Sequence, residues 1–311
     1  MNPLRIVFMG NPDFAVLSLN ELMSSKHEVV AVVTSPDKPR GRGKLVLPTA
    51  VAQRASDYAL PVIQPASLKN ESFVSQLREL KADLFVVVAF RLLPSTVLEI
   101  PKIGSMNLHP SLLPKYRGAA PLQWALMNGD VKTGITTFFI SPTMDTGDIL
   151  MTRPMIIFPE DDSGSLSRRA SQLGAHLLVW TIDNLVHGTA TPEPQDESSV
   201  SHAPKIVSED CKIDWTKPAV SVRNQVCALS PTPGAYTFLA NRRLKIFKCA
   251  LSLAEKGNPG EVVSLDKSSF TVRCGSGSTV IQELQPEGKR RMKGGEFLAG
   301  ARLKAGDYLG K

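Results

Sequence analysis

Asp83-Leu84-Phe85-Val86-Val87-Val88-Ala89-Phe90 is a nearly unbroken apolar run dominated by valine, and it decides the fold. A strand with one face in water alternates polar with apolar residues. A strand buried on both faces reads instead as a continuous hydrophobic string. Two more such runs precede it, Arg5–Met9 and Glu28–Thr34. Between those two, Phe14 to Met23 carries Phe14, Ala15, Leu17, Leu19 and Leu22 in a roughly helical stripe. Strands alternating with helices predict an α/β, Rossmann-like N-terminal domain with a mostly parallel sheet covered on both faces. The turn Gly10-Asn11-Pro12-Asp13 lacks the Gly-x-Gly-x-x-Gly fingerprint, which disfavours a dinucleotide as ligand.

Further along, Thr133–Ser141 is another β-rich run and Ser165–Val186 a long helical segment. Residues 189–204 are irregular and rich in Thr, Pro, Gln, Glu, Asp and Ser, the composition of a linker. A helix around Ser221–Leu229 then precedes five short strands separated by Gly/Asn turns. They are Tyr236–Leu239, Arg243–Ala250, Gly260–Ser264, Phe270–Cys274 and Val280–Leu284. An OB-like β-barrel is the natural way to satisfy the edges of so many short strands. The expected domains are 1–188, a linker over 189–206, and a C-terminal OB-like domain over 207–311.

Composition narrows the class. Of the 311 residues, 42% are hydrophobic and 21% charged, the balance of an ordinary globular chain. No apolar run approaches the roughly 18 residues of a membrane span, and Leu4-Arg5-Ile6-Val7-Phe8 begins too soon for a signal peptide. A cytoplasmic location with no membrane partner is expected. Cys211, Cys227, Cys249 and Cys274 show no Cys-x-x-Cys pairing, so reduced thiols and no metal are expected. Residues 207–311 hold 17 of the 36 Lys and Arg and 10 of the 29 Asp and Glu, so the whole formal charge of +7 sits there. A basic appendage on a neutral body suits a polyanionic partner, although surface basicity alone leaves the matter even. The loop Ser35-Pro36-Asp37-Lys38-Pro39-Arg40-Gly41-Arg42-Gly43-Lys44 adds guanidinium groups with little steric cover, suited to phosphate.

The chemistry concentrates in Asn107-Leu108-His109-Pro110-Ser111-Leu112-Leu113-Pro114. Extended backbone puts Asn107 and His109 on one face, two residues apart. Asp145 follows in the turn Met144-Asp145-Thr146-Gly147-Asp148. Imidazole can serve as a base toward an amine, and an asparagine amide can hold a developing oxyanion. A carboxylate nearby would stabilise the protonated imidazole. Ser111 lies close, yet no Gly-x-Ser-x-Gly elbow is present, so direct transfer without a covalent intermediate is favoured. Each residue also has a structural reading as turn, cap or hydrogen-bonded histidine, and the residues alone leave the substrate open.

Residues 107–114 with Arg117-Gly118 closely resemble the signature of the folate-dependent formyltransferases, and 144–148 resembles that family's acidic loop. Arg117-Gly118-Ala119-Ala120-Pro121, the loop Pro36–Lys44, Ala203-Pro204-Lys205-Ile206, Ile213-Asp214-Trp215 and Leu284–Met292 resemble the branch acting on methionyl initiator tRNA. The likeness runs from Gly10 to Arg302. It implies formyl transfer from 10-formyltetrahydrofolate to the α-amine of that tRNA; a monomer is expected. Asn107, His109 and Asp145 would be catalytic. Folate would lie against Ser111, Leu112, Leu113 and Pro114, with main-chain contacts near Phe90 and Leu92. Arg40, Arg42, Lys44 and Lys205 would meet tRNA, Arg42 entering at the acceptor end, and the C-terminal domain would hold the tRNA backbone. Phe90-Arg91 stands where the family commonly shows an aromatic followed by glycine. Either the arginine side chain points to solvent while its main chain serves the ligand, or the pterin pocket is altered. Pro110 occurs in relatives acting on small amines, which usually lack the basic loop and the barrel. A small-amine formyltransferase and a non-catalytic RNA-binding protein are the competing readings.

Overall fold

The computed structural model describes residues 3–40 and 45–310. It divides into two compact units. The first comprises residues up to Gly118, Lys132–Ile156 and Ser167–Ala203; the second comprises Ala119–Val131, Ile157–Leu166 and the chain from Pro204 onward. Residues 189–203, where composition reads as linker, fall within the first unit by this division.

The elements up to Leu98 are β1 (Arg5–Gly10), α1 (Asp13–Met23), β2 (Glu28–Val33), β3 (Lys38–Arg40), β4 (Leu45–Leu47), α2 (Ala50–Asp57), β5 (Val62–Ile63), α3 (Glu71–Glu79), β6 (Leu84–Val88) and α4 (Ser95–Leu98). Then come β7 (Gly104–His109), α5 (Pro121–Asn128), β8 (Lys132–Phe139), β9 (Ile149–Ile156) and α6 (Ser163–His187). One sheet of the first unit runs β5-β2-β1-β6-β7-β8-β9. The first five strands in that order are mutually parallel, and β8 and β9 are antiparallel. The expected mostly parallel, Rossmann-like sheet is therefore present.

The continuous apolar strings are buried because both faces of the sheet are covered. Ile6, Phe8, Leu84 and Phe85 have no exposure. Val7, Met9, Phe85 and Val87 belong to a cluster with Phe73, Val74 and Leu77 of α3. Each fully buried side chain of this size contributes about 1.5–3 kcal/mol relative to exposure. On α1, Ala15, Ser18, Leu19 and Leu22 are the buried stripe, spaced as a helix face requires. The consecutive strands β5 and β6 lie on opposite sides of β1, β5 beyond β2 and β6 directly beside β1. Such a switch in strand order opens a crevice at the carboxyl ends of the strands, where β6 and β7 also end.

The second unit contains α7 (Ala219–Leu229), the antiparallel strands β10 (Ala235–Leu239), β11 (Arg242–Ser252), β12 (Val262–Leu265), β13 (Phe270–Arg273), β14 (Ser278–Pro286) and β15 (Met292–Lys293), and α8 (Gly294–Gly300). Their order is β10-β11-β14-β13-β12, with β15 also on β14. The edge strands β10 and β12 do not pair directly. Residues 306–310 lie between them instead: Leu309 N–H donates to Gly260 O and Gly310 N–H to Phe238 O, each at 2.8 Å, and Val262 N–H donates to Asp307 O at 2.8 Å. The unit is OB-like: its edge strands do not close on each other, and this segment bridges them. α7, Trp215 and the inner strand faces form its core.

Candidate active site

Strand β7 sets the geometry. Asn107 pairs with Val87 of β6 on one side and Phe138 of β8 on the other, where the parallel part of the sheet meets the antiparallel part. His109, two residues on, is the last residue of the strand and is buried. The side chains share a face, as extended backbone requires. The Asn107 carboxamide oxygen is buried and meets no hydrogen-bond partner among the described residues. Buried amide groups are nearly always paired, so this lone acceptor stands out.

His109 has a defined tautomer. Its Nε2 lies 2.9 Å from the Tyr116 carbonyl, which can only accept, so Nε2 carries the hydrogen. The Nδ1 lone pair then faces Asp145, whose Oδ2 is 3.8 Å away. That is beyond a hydrogen bond, and both atoms are acceptors until the imidazole takes a proton. The carboxylate is therefore placed to favour the charged form of a base that rests neutral. Burial holds the His109 imidazole below the ordinary histidine value, with Asp145 and the Tyr116 carbonyl opposing it less strongly. We expect an NMR titration to show His109 neutral at pH 6.5, with its midpoint lower still in Asp145→Asn. A midpoint at or above 6.5 in the native protein would refute the burial argument.

Asp145 sits in left-handed backbone with φ of 56°, and its Oδ2 accepts the Gly118 N–H at 2.8 Å. Gly118 itself has φ of 128°, and a Cβ there would lie 2.5 Å from the Ala203 carbonyl oxygen. Only glycine satisfies both demands.

The loop after β7 is held from β8. Thr136 donates its hydroxyl to Ser111 O at 2.7 Å and accepts the Leu113 N–H at 3.1 Å. Ser111 is fully buried and donates its hydroxyl to Lys115 O at 2.6 Å, so it offers no nucleophile. Leu113 is buried, Leu112 and Pro114 half-buried. Beyond β6, Phe90 is half-buried and Leu92 exposed. Arg91 does not project freely into solvent. It turns over the Phe90 ring at 5.2 Å and donates to Pro65 O at 2.9 Å and Ala66 O at 3.3 Å. Asn107, His109 and Asp145 thus come together in the first unit. Lys205 is exposed in the second. Arg42 and Lys44 lie outside the described residues, as does the side chain of Arg40.

A group that sequence reasoning missed joins the site from residues 193–203. Gln195 donates to the carbonyls of Asp145 at 2.9 Å and Gly147 at 2.8 Å. Its Oε1 accepts from Arg117 Nε at 3.0 Å and Nη2 at 2.8 Å. The buried Arg117 also pairs with Glu197 at 2.7 Å, which holds the Glu197 carboxyl below its usual value. Ser201 accepts the N–H groups of Tyr116 and Arg117, both at 2.9 Å.

Residues 4–182 match the family described as formyl transferase, and residues 205–302 match the formyl transferase C-terminal domain. Methionyl-tRNA formyltransferase of Geobacter sulfurreducens is 47% identical over 312 aligned residues, covering 100% of this chain and 98% of that protein. The protein of the same name from Moorella thermoacetica is 43% identical, covering 99% of each chain. Among solved structures, Aquifex aeolicus HypX in complex with tetrahydrofolic acid aligns with a TM-score of 0.67 at 21% identity, covering 98% of this chain and 50% of that one. A Helicobacter canadensis N-formyltransferase in complex with folinic acid and dTDP-3-aminofucose aligns with a TM-score of 0.69 at 21% identity, covering 90% and 99%. At that identity the two structures speak to the fold alone.

Proposed function

The chain belongs to the formyl transferase family, and on that premise we propose that it transfers a formyl group from 10-formyltetrahydrofolate to the α-amino group of methionyl initiator tRNA, for translation initiation. The observation that carries the reading is a base without a nucleophile. His109 presents Nδ1 beside Asp145, while the nearby Ser111 hydroxyl is locked onto Lys115. Such a site suits direct attack by an amine carried on the substrate.

The folate donor supplies an activated formyl carbon. Its fit is supported by the half-buried Phe90 and exposed Leu92 beyond β6; the vacant Asn107 Oδ1, an acceptor, suits a donor such as the incoming amine. The Asn107 NH2 group donates to the formyl oxygen and stabilises it as it gains charge. His109 Nδ1 takes the proton that the amine loses as the new C–N bond forms. It then returns that proton to the folate nitrogen as the old bond breaks. Asp145 stabilises the imidazolium between the two transfers. Ser111, Leu112, Leu113 and Pro114 frame the folate, held in shape by Thr136. Arg40, Arg42, Lys44 and Lys205, with the basic C-terminal unit, engage the tRNA. The protein works as a monomer in the cytoplasm. Four unpaired cysteines support a reducing compartment, and among the described residues no helix is long and apolar enough to cross a membrane.

The test is formyl transfer from 10-formyltetrahydrofolate to methionyl initiator tRNA, with a methionine ester as parallel acceptor. Fast transfer to the tRNA alone is expected, with kcat/KM falling at least about tenfold between 50 and 200 mM salt as phosphate contacts are screened. No transfer to tRNA, or a rate indifferent to salt, would move the reading to small amines.

A further inference from the structure

The contacts made by residues 193–203 go beyond the roles assigned above. Glu193 exchanges two backbone hydrogen bonds with Ile149 at the start of β9, at 2.8 and 2.9 Å. Gln195 follows within two residues, Glu197 within four, and Ser201 and Ala203 close the series by bonding to Tyr116 and Arg117. The segment is a strap that crosses both turns carrying the site: 116–118, which supports His109 and Asp145, and 145–147, which bears the carboxylate.

Gln195 is the link between those turns. Both hydrogens of its amide go to backbone carbonyls of the acidic turn, and its oxygen takes two donors from Arg117. Turning the amide over would set oxygen against two carbonyls and NH2 against a guanidinium, so only one orientation is satisfied. The turn it grips needs a grip. Asp145 is a non-glycine residue at φ of 56°, a conformation that persists where surroundings enforce it. Arg117 cannot drift either, because its guanidinium is buried between Gln195 and Glu197.

We propose that Gln195 is a positioning residue for formyl transfer, holding the Asp145 turn so that the carboxylate faces His109, with Arg117 fixing the Gln195 amide. This rests on the formyl-transfer reading given above. Gln195 touches no reacting atom and acts through Asp145.

Gln195→Ala removes every contact. Gln195→Glu keeps the size and the pairing with Arg117 but has no hydrogens for the two carbonyls, so a fold held mainly by Arg117 would survive it. In both variants kcat is expected to fall by about tenfold to a hundredfold, with KM for either substrate within about threefold. In an Asp145→Asn background, Gln195→Ala should cost less than about threefold, because the group it positions is already gone. Equal losses in both backgrounds, or a loss that tracks a lowered Tm while Gln195→Glu stays fully active, would overturn the proposal. Should the native protein transfer no formyl group, the function reading fails but this one is still tested. The NMR titration midpoint of His109 should then fall in Gln195→Ala as Asp145 retreats, and an unmoved midpoint would refute it.

Discussion

His109→Ala is expected to lower kcat for formyl transfer by about 10²–10⁴-fold, the range of a lost general acid–base group, with affinity for charged tRNA and for folate within about threefold. The asymmetry follows from where the imidazole sits. Nε2 is committed to Tyr116 O, and Nδ1 alone faces the site, so the side chain meets substrate only through the proton it moves. Truncation also removes the hydrogen bond to Tyr116 O, which costs about 0.5–1.5 kcal/mol of stability, so kcat should be measured well below the variant's Tm. Equal losses in kcat and in tRNA affinity would show that His109 binds rather than reacts, and would end its role as base.

The second large effect is expected from Asp145→Asn, which removes a charge while keeping the shape. Asparagine tolerates left-handed backbone as aspartate does, and its Oδ1 can still accept the Gly118 N–H. What disappears is the attraction between a carboxylate and an imidazolium 3.8 Å apart. At an effective dielectric constant near 20 a pair at that distance gains about 4 kcal/mol, which bounds the loss near 10³-fold in kcat. A fall of about 10²–10³-fold is therefore expected, with folate and tRNA affinity preserved. Full activity in this variant would mean that the imidazole needs no counter-charge, and Asp145 would leave the mechanism.

Strands buried on both faces were legible because nothing but a covered parallel sheet explains strings such as 84–88, and the observed strand matches that core of the run. That Asn107 and His109 share a face was legible from period two; their catalytic reading came from the family resemblance. Strand β9 was not. It carries Pro154 and three consecutive exposed residues, which breaks the apolar signal, and it is tolerated because β9 is the edge of its sheet. Helix α5 had signals that went unused, Pro121 in its first turn and Gly129 in left-handed backbone after its end. Gln195 was out of reach. It lies in a polar stretch with no periodicity, and its importance comes from two turns nearly 30 residues apart in the chain that only folding brings beside it. The direction of Arg91 was equally hidden, since the Pro65 and Ala66 carbonyls that hold it are distant in sequence.

The bridge between β10 and β12 bears on how the second unit comes apart. Residues 306–310 bond to Phe238 on one side and to Gly260 and Val262 on the other, so one short segment occupies the gap between two strand edges. When this segment peels away, β10 and β12 are bared together, and each presents a row of unsatisfied N–H and C=O groups. The least costly replacement is the same segment from another copy, which fits both edges already. Exchange of this segment between molecules would then satisfy both bared edges at once.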